Sequence, residues 1–476
     1  MSSILHDLPN EVLCHIFATA IFDPDPERVT DFSTTSISSI YRRLFILISV
    51  CSRWQTLCVS TASFWSVIPL SNRWGVSDDA MMNIYLERAK NSNLHLIGDP
   101  TGLDQLQYVI AKYGRCVRTL DLSGDKLNSF YETVIDLLSY TTLEYITNLS
   151  ICRRSLSLIT CVIPNSYEDG LSNKLSKSLN ILRLRGFTFG WDQMHFSGLV
   201  ELRLEAVSLK GADMVTKLLF AVSSLPELRR LFLIQMIFDP HRMYNNQPDG
   251  PTLPEPVSLQ SLELLYLQDV KQDCLPFIMH SINAGSYRIV IGFSSDPEDS
   301  SFYGTLNSEQ SLSRLKTLGL KDFNIDTLML FGGGFHPPTI HGMLQAMPTI
   351  RSLCMRNYPV HRTTLQALIS PYEFATGQDN ADFPIIRRLH IIDAYFDNTG
   401  LEDLKKVISR HEIQELRLGG TLGNLSDLPE RMVRFEDPSD DQHTGPIKSW
   451  LQASVSNFAI VRHAKDIAPD FLFSLW

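Results

Sequence analysis

Three short groupings carry residue types capable of chemistry. Asp23-Pro-Asp-Pro-Glu27 spaces three carboxylates two apart. Such oxygens suit calcium, but that ion takes about six to eight of them, and a solvated acidic loop is the better reading. His336 and His341 lie five apart. Zinc is held by about four ligands, and no cysteine or carboxylate cluster accompanies the pair. Gly332-Gly333-Gly334 precedes Phe-His-Pro-Pro. Bare backbone can cradle phosphate, yet there is no GxxxxGK[ST] loop and no strand-linked GxGxxG, so the run reads as a turn. HExxH, GxSxG and the EF-hand loop are also missing from the sequence. The eight cysteines include no CxxC and are too sparse for a disulfide scaffold. The expectation is a non-enzymatic protein with no catalytic residue, no metal and no cofactor.

Composition narrows the partner. Net charge is −10, from 42 basic and 52 acidic residues among 476. Proteins that coat phosphate backbones carry a basic surplus, so nucleic acid is not the expected ligand. With 44% hydrophobic and 20% charged residues, the chain has globular composition. Its longest apolar stretch, near Leu44 to Cys51, is far short of the ~20 residues of a membrane span. MSSILHDLPNE has neither the basic start nor the apolar stretch of a secretory signal. A reduced intracellular protein, cytoplasmic or nuclear, is expected.

If the chemistry is recognition, the elements that present it matter most. A hexad of apolar, two variable, apolar, one variable, apolar residues recurs through the chain. Its copies are Val117–Leu122, Ile146–Ile151, Leu179–Leu184, Leu199–Leu204, Leu228–Leu233, Leu259–Leu264, Leu315–Leu320, Ile350–Met355, Ile386–Ile391 and Ile413–Leu418, with a degraded copy at Ser286–Ile291. Most steps between the middle residues are 27 to 36. Within each hexad, positions four and six flank one residue of opposite facing, as a short strand requires. Helical patterns lie between hexads, at Tyr131–Tyr140, Ala212–Ser224, Gly342–Met347 and Thr399–Arg410. The repeat resembles the leucine-rich repeat. That resemblance implies an α/β solenoid of about eleven irregular units over 94–422, with a parallel inner sheet and outer helices. Loops are expected at 239–256, 293–304, 331–338 and, acidic, at 436–446. A carboxy-terminal cap is expected within 423–476.

The first seventy residues follow another pattern. Leu8-Pro9-Asn10-Glu11 opens a helix, with proline in its first turn and an acidic residue at its positive end. Val12, Leu13, Ile16, Phe17, Ala20 and Ile21 form its apolar face. A loop from Phe22 to Ile40 precedes a second helical run, Tyr41–Cys58, and SFWSVIPL closes the segment. LPNEVLCHIF, ISVCSRW and STASFWSVI together resemble the F-box in the variant widespread in mushroom-forming fungi. The matching residues are Leu8, Pro9, Glu11, Leu13, Ile16, Phe17, Val50, Cys51, Trp54 and Trp65. The long 22–40 loop departs from a compact F-box. The resemblance implies a small all-helical domain over 1–70, joined by a connecting helix at 71–93 to the repeats.

What the resemblance implies is an interaction. The F-box docks on the Skp adaptor of an SCF, a cullin-RING ubiquitin ligase, and the repeats select a protein substrate. Leu8, Pro9, Glu11, Leu13, Ile16, Phe17 and Val50 are the expected adaptor contacts; Cys51, Trp54 and Trp65 are the expected core. On the repeats, Arg183, Arg185, Arg203, Phe232, Ile234, Arg356, His390 and Arg417 are expected on the exposed face toward substrate. The three arginines on neighbouring strands could grip an acidic or phosphorylated segment. Glu205 opposite Arg185, with Glu201 beside the same ladder, equally allows ordinary cross-strand pairing. The alternative function is a repeat-based binding scaffold acting without the ligase.

Overall fold

The computed structural model describes residues 8–22, 35–70, 78–90, 92–99, 103–125, 127–138, 144–154, 160–163, 175, 177–191, 196–209, 212–238, 256–270, 274–283, 285–295, 319–332, 335–369, 383–396, 400–423, 433–435 and 441–461. It is a mixed α/β protein with a large parallel sheet and, among the described residues, twelve α-helices. The chain divides into two compact units. The first is made mainly of residues up to Ser208, the second mainly of residues from Arg229 onward.

The first unit opens with three helices, α1 (Asn10–Phe22), α2 (Thr35–Ile48) and α3 (Ser52–Ser60). The expected second helical run is therefore two helices, split at Ser49–Cys51, and α2 begins before the expected end of the loop. Strands β1 (Val67–Leu70), β2 (Leu94–Gly98), β3 (Val117–Gly124), β4 (Asn148–Arg153), β6 (Ile181–Arg185) and β8 (Glu201–Glu205) then pair in that order, all parallel. A small parallel pair joins β5 (Cys161–Ile163) and β7 (Phe187–Phe189). The register puts Ile68, Leu96, Leu120, Leu149, Leu182 and Leu202 in one closed row. Helices α4 (Asp78–Ala89), α5 (Leu103–Tyr113) and α6 (Leu127–Leu138) alternate with these strands. Each buries residues at three- and four-residue spacing, such as Leu106, Val109 and Ile110 on α5, or Phe130, Val134 and Leu137 on α6.

The sheet begins earlier than expected, inside the segment read as all-helical. Val67–Leu70 is short, and its four residues give little strand periodicity. Its partner β2 supplies the pairing, and Gly98 lets the two backbones meet, because a Cβ there would collide with the Leu70 carbonyl.

In the second unit β10 (Arg230–Ile234), β12 (Leu264–Gln268), β13 (Arg288–Ser294), β14 (Ile325–Phe331), β15 (Ser352–Arg356), β17 (Arg388–Phe396) and β18 (Glu415–Leu422) pair in parallel. Beside β18 lie β19 (Val433–Arg434), antiparallel, and β20 (Asn457–Ile460), parallel. The very short β9 (Ser208–Leu209), β11 (Ile237–Phe238) and β16 (Pro359–Val360) complete the strands. Helices α7 (Ala212–Ser223), α8 (Leu275–Ser281), α9 (Pro337–Ala346), α10 (Arg362–Ile369) and α11 (Gly400–His411) fall between strands in the sequence. On α11, Leu404, Val407 and Ile408 are buried, with Glu402 and Asp403 in the first turn and Arg410 and His411 in the last.

Two hexads are displaced from their expected places. Leu231 faces Leu265, so the hexad of β12 is Leu262–Leu267, three residues beyond the expected one. Apolar residues at 259, 262, 264, 265 and 267 offer two overlapping hexads, and only the neighbouring strands choose between them. At Leu315–Leu320, residues 315–318 lie outside the described residues and Leu320 sits in the 3₁₀ turn Leu320–Asp322. The strand beside β13 is Ile325–Phe331, whose Ile325, Leu328 and Leu330 form a hexad of their own. The degraded copy does form a strand, with Ile289 facing Leu265 and Ile291 facing Leu267.

Past the strands, a backbone signature recurs that side-chain patterning does not reveal. Two residues beyond the last apolar position of seven hexads, Gly186, Ala206, Gln235, Asp269, Gly332, Asn357 and Asp393 take φ between 49° and 77°. Five of them donate their N–H to a carbonyl on a neighbouring strand or at its end: Gly186 to Glu205, Gln235 to Gln268, Asp269 to Gly292, Gly332 to Arg356 and Asn357 to Ile392. This left-handed residue turns the chain out of six strands at the same point, and at Asp393 it shifts the register within β17 instead. Because five of the seven are not glycine, residue type does not mark the position.

The expected loops fare differently. Residues 239–255 and 296–304 lie outside the described residues. The expected 331–338 loop ends early, since Pro337 starts α9, where its missing N–H costs nothing. Of the acidic segment 436–446, residues 436–440 are outside the described residues, and α12 (Asp441–Ser454) takes up the remainder with Pro446 inside it. The expected cap continues as β20, which extends the sheet; residues 462–476 lie outside the described residues. Among the described residues, no helix is long and apolar enough to cross a membrane.

Candidate functional site

The three amino-terminal helices are amphipathic in an unusual sense: their core stripe is narrow and apolar residues remain on the outside. On α1, Leu13, Phe17 and Ile21 recur every fourth residue and are buried. Tyr41 and Leu44 of α2, Cys58 of α3 and the 3₁₀ turn Ala62–Trp65 complete the core. Trp65 is fully enclosed. Its Nε1–H donates to the Cys58 carbonyl at 2.9 Å, and the Arg88 guanidinium sits 4.3 Å from its ring. Tyr41 stacks on Tyr85 at 4.3 Å and donates its hydroxyl proton to the Val67 carbonyl. Burial raises the Tyr41 phenol well above its ordinary range and pushes the Cys58 thiol up to about 11.

Outside this core stand Val12, Ile16 and Phe22 of α1, Phe45 and Ile46 of α2, and Val50 of the turn after α2. Val12 and Ile16 are one turn apart, as are Ile46 and Val50, so each helix presents an apolar stripe away from its own core. Ile46 and Val50 are 55% and 54% exposed. Arg53 ties the two ends together. Its guanidinium donates to the Leu8 carbonyl at 2.6 Å and to Asn10 Oδ1 at 2.8 Å. That fork holds Leu8 and Pro9 beside the start of α3, three residues from Val50.

The expected adaptor contacts therefore separate. Pro9, Glu11, Ile16 and Val50 are exposed and Leu8 is half-buried, whereas Leu13 and Phe17 are core. Helical period alone puts 13, 16 and 17 on one broad face, and packing splits it. Among the expected core residues, Trp65 is buried, while Cys51 and Trp54 are half-buried; Trp54 covers Phe17 with ring centroids 4.7 Å apart. Val12, expected only on the apolar face of the first helix, and Phe22, Phe45, Ile46 and Arg53 join the surface beyond the expected contacts. Their signal in the sequence was apolar residues in excess of what three short helices can bury.

On the sheet face opposite the leucine rows, the two units differ. The first is polar and paired. Arg183 holds Glu201 at 2.7 Å, Arg203 holds Glu205 at 2.8 Å, and Arg185 reaches Glu205 at 3.4 Å. Asp121 is half-buried on the same face, and burial raises its carboxyl. The expected grip on an acidic segment thus meets arginines already engaged by carboxylates, and Arg203 is buried rather than exposed. In the second unit Phe232 and Ile234, expected to be exposed, are buried. They belong to an apolar cluster with Tyr266, Val290, Met329 and Cys354, in which Phe232, Tyr266 and Val290 share one register row and Met329 and Cys354 lie in the next, the row of Ile234. Arg356 pairs with Asp393 at 3.3 Å and Arg417 with Glu415 at 2.9 Å, both partly open to solvent.

His390 is buried against Glu415, with Nε2 3.2 Å from Oε1. Burial outweighs the pull of that carboxylate and takes the imidazole down to about 4. Buried His411 has Nδ1 3.3 Å from the Ile386 N–H, which donates to it, and Nε2 2.7 Å from the Leu368 carbonyl. Those partners specify the neutral ring with the proton on Nε2, and burial lowers its pKa. Groups held neutral below their unfolded pKa stabilise the fold above about pH 6.5 and lose that contribution as pH falls. The urea midpoint of the second unit should drop from pH 7.5 to pH 5, before most carboxylates protonate. An unchanged midpoint would contradict the neutral buried assignment.

The thiols offer no nucleophile at neutral pH where burial is deep: Cys152 and Cys354 are each pushed up to about 12. His336 stands at the start of α9, while His341 is buried within it and stacks on Phe383 at 5.1 Å, so the two do not share a loop face. Gly332 serves the recurrent turn; Gly333, Gly334 and Asp23–Glu27 lie outside the described residues. Among the described residues, no group of three His, Cys, Asp or Glu side chains gathers in a way that could hold a metal ion. No protein-family model matches this chain, and no curated protein matches it.

Proposed function

We propose that this protein is the substrate-recognition subunit of an SCF-type ubiquitin ligase, with an F-box that docks on a Skp adaptor and leucine-rich repeats that hold the substrate. The observation that carries the reading is the exposed apolar surface of α1, α2 and the α2–α3 turn, pinned by Arg53. Residues of this kind on a bundle too small to bury them suit insertion into a partner's apolar groove. The repeated strand, left-handed turn and helix that follow supply the recognition half, since each unit presents fresh side chains at one register. Catalysis would belong to other subunits.

Co-expression with a fungal Skp adaptor and gel filtration test the proposal. A one-to-one complex is expected, and it should be lost in Ile16→Asp/Ile46→Asp while the circular dichroism of the chain is unchanged. A folded chain that ignores the adaptor would leave a repeat-based scaffold and overturn the ligase assignment.

A further inference from the structure

The apolar surface of the amino-terminal helices carries a charge. Ile37, Tyr41 and Leu44 turn one side of α2 into the core. Arg42 and Ile46, one turn apart, stand on the opposite side, and both are exposed. The described parts of α1, α2 and α3 hold three arginines against one carboxylate, Glu11. Two of the arginines are engaged. Arg53 holds Leu8 and Asn10, and Arg43 donates to the Ala20 and Ile21 carbonyls at 3.3 and 3.4 Å, near the end of α1. Arg42 makes no hydrogen bond or ion pair among the described residues. The strands differ: Arg183, Arg185, Arg203, Arg356, Arg388 and Arg417 each meet a carboxylate at 2.7 to 3.4 Å. The positive excess on the helices also runs against a chain whose net charge is −10.

This charge restricts what can cover the face. A wholly apolar groove closing over Ile46 would strip water from the neighbouring guanidinium and give its donors nothing in return. A groove with a carboxylate at its rim would restore those hydrogen bonds and draw the two surfaces together in the right orientation. We propose that the partner of this face carries a carboxylate beside its apolar groove, placed to accept from Arg42 when Ile46 enters the groove. Arg42 is then a specificity determinant, selecting by sign among grooves that Ile46 and Val50 alone would not distinguish. This inference rests on the adaptor reading and deepens it.

The test follows association of the full chain with the adaptor at two salt concentrations. Arg42→Glu should lower the association rate about tenfold at ~50 mM salt, and the gap should close at ~1 M, where screening reaches only ~3 Å. Circular dichroism should be parental, since Arg42 holds nothing within the described bundle. In Arg42→Lys, a carbodiimide should couple the new amine to an adaptor carboxylate, and peptide mapping should place that amide at position 42. Parental rates in Arg42→Glu, or no coupled product at position 42, while Ile46→Asp still abolishes the complex, would overturn this inference and leave the adaptor reading standing. Failure of the parent chain to bind the adaptor would overturn both.

Discussion

Phe17→Ala should open the amino-terminal helices, whereas Ile16→Ala should leave them folded. The two residues are neighbours on α1. Phe17 is buried and packed under Trp54; Ile16 is 43% exposed. Truncating a buried phenylalanine removes its transfer free energy and leaves a cavity, together about 3–5 kcal/mol. A bundle this small has little stability to lose. Truncating an exposed isoleucine should change stability by less than about 0.5 kcal/mol. Hydrogen exchange over residues 10–60 of the full chain reads both. Phe17→Ala should lose protection across α1, α2 and α3, with the strands beyond still protected. Equal protection in Phe17→Ala and parent would show that Phe17 is not the centre of this core. Ile16→Ala should weaken adaptor binding at parental protection, so the pair separates a folding role from a docking role one residue apart.

Glu205→Ala should be the most damaging single change on the sheet face of the first unit. Its carboxylate accepts from Arg203 Nη2 at 2.8 Å and Nε at 3.3 Å, and Arg185 approaches its other oxygen at 3.4 Å. The Arg203 side chain is 5% exposed. A guanidinium so far from water depends on this carboxylate, and removing one partner of a buried pair costs about 3–5 kcal/mol. Arg185→Ala makes the comparison. Arg185 is about a fifth exposed, and Glu205 keeps Arg203 when Arg185 is removed, so the loss should be clearly smaller. Urea midpoints of the two variants, measured at one salt concentration, should rank parent, Arg185→Ala, Glu205→Ala. Midpoints indistinguishable from the parent for Glu205→Ala would mean that Arg203 finds water or another acceptor at no cost.

These expectations rest on burial, and burial is where the sequence was least informative. Phe232 and Ile234 occupy strand positions that alternate away from the leucine row, and alternation says only that they face the other way. Whether the other way is solvent depends on what lies over it. The same ambiguity governs α1: residues 13, 16 and 17 satisfy one helical stripe, yet the angle at which α2 and α3 pack leaves Ile16 outside. Register shows a related limit. Leu259–Leu267 contains two overlapping hexads, and Ile325–Leu330 fits the hexad pattern as well as Leu315–Leu320 does.

The sequence by itself determined the repeating unit. A hexad of alternating apolar residues, separated by helical patterns at roughly thirty-residue steps, dictates short parallel strands, because side-chain period is a local property of the backbone. It also determined that the first seventy residues carry more apolar surface than they can bury. Tertiary structure alone decided which strand copy pairs with which, that the sheet starts at Val67, and that the arginines of the first unit meet carboxylates. It also decided that the second face of the second unit is closed. Each of these depends on contacts between residues far apart in the chain, and no local pattern encodes the free energy of such a contact.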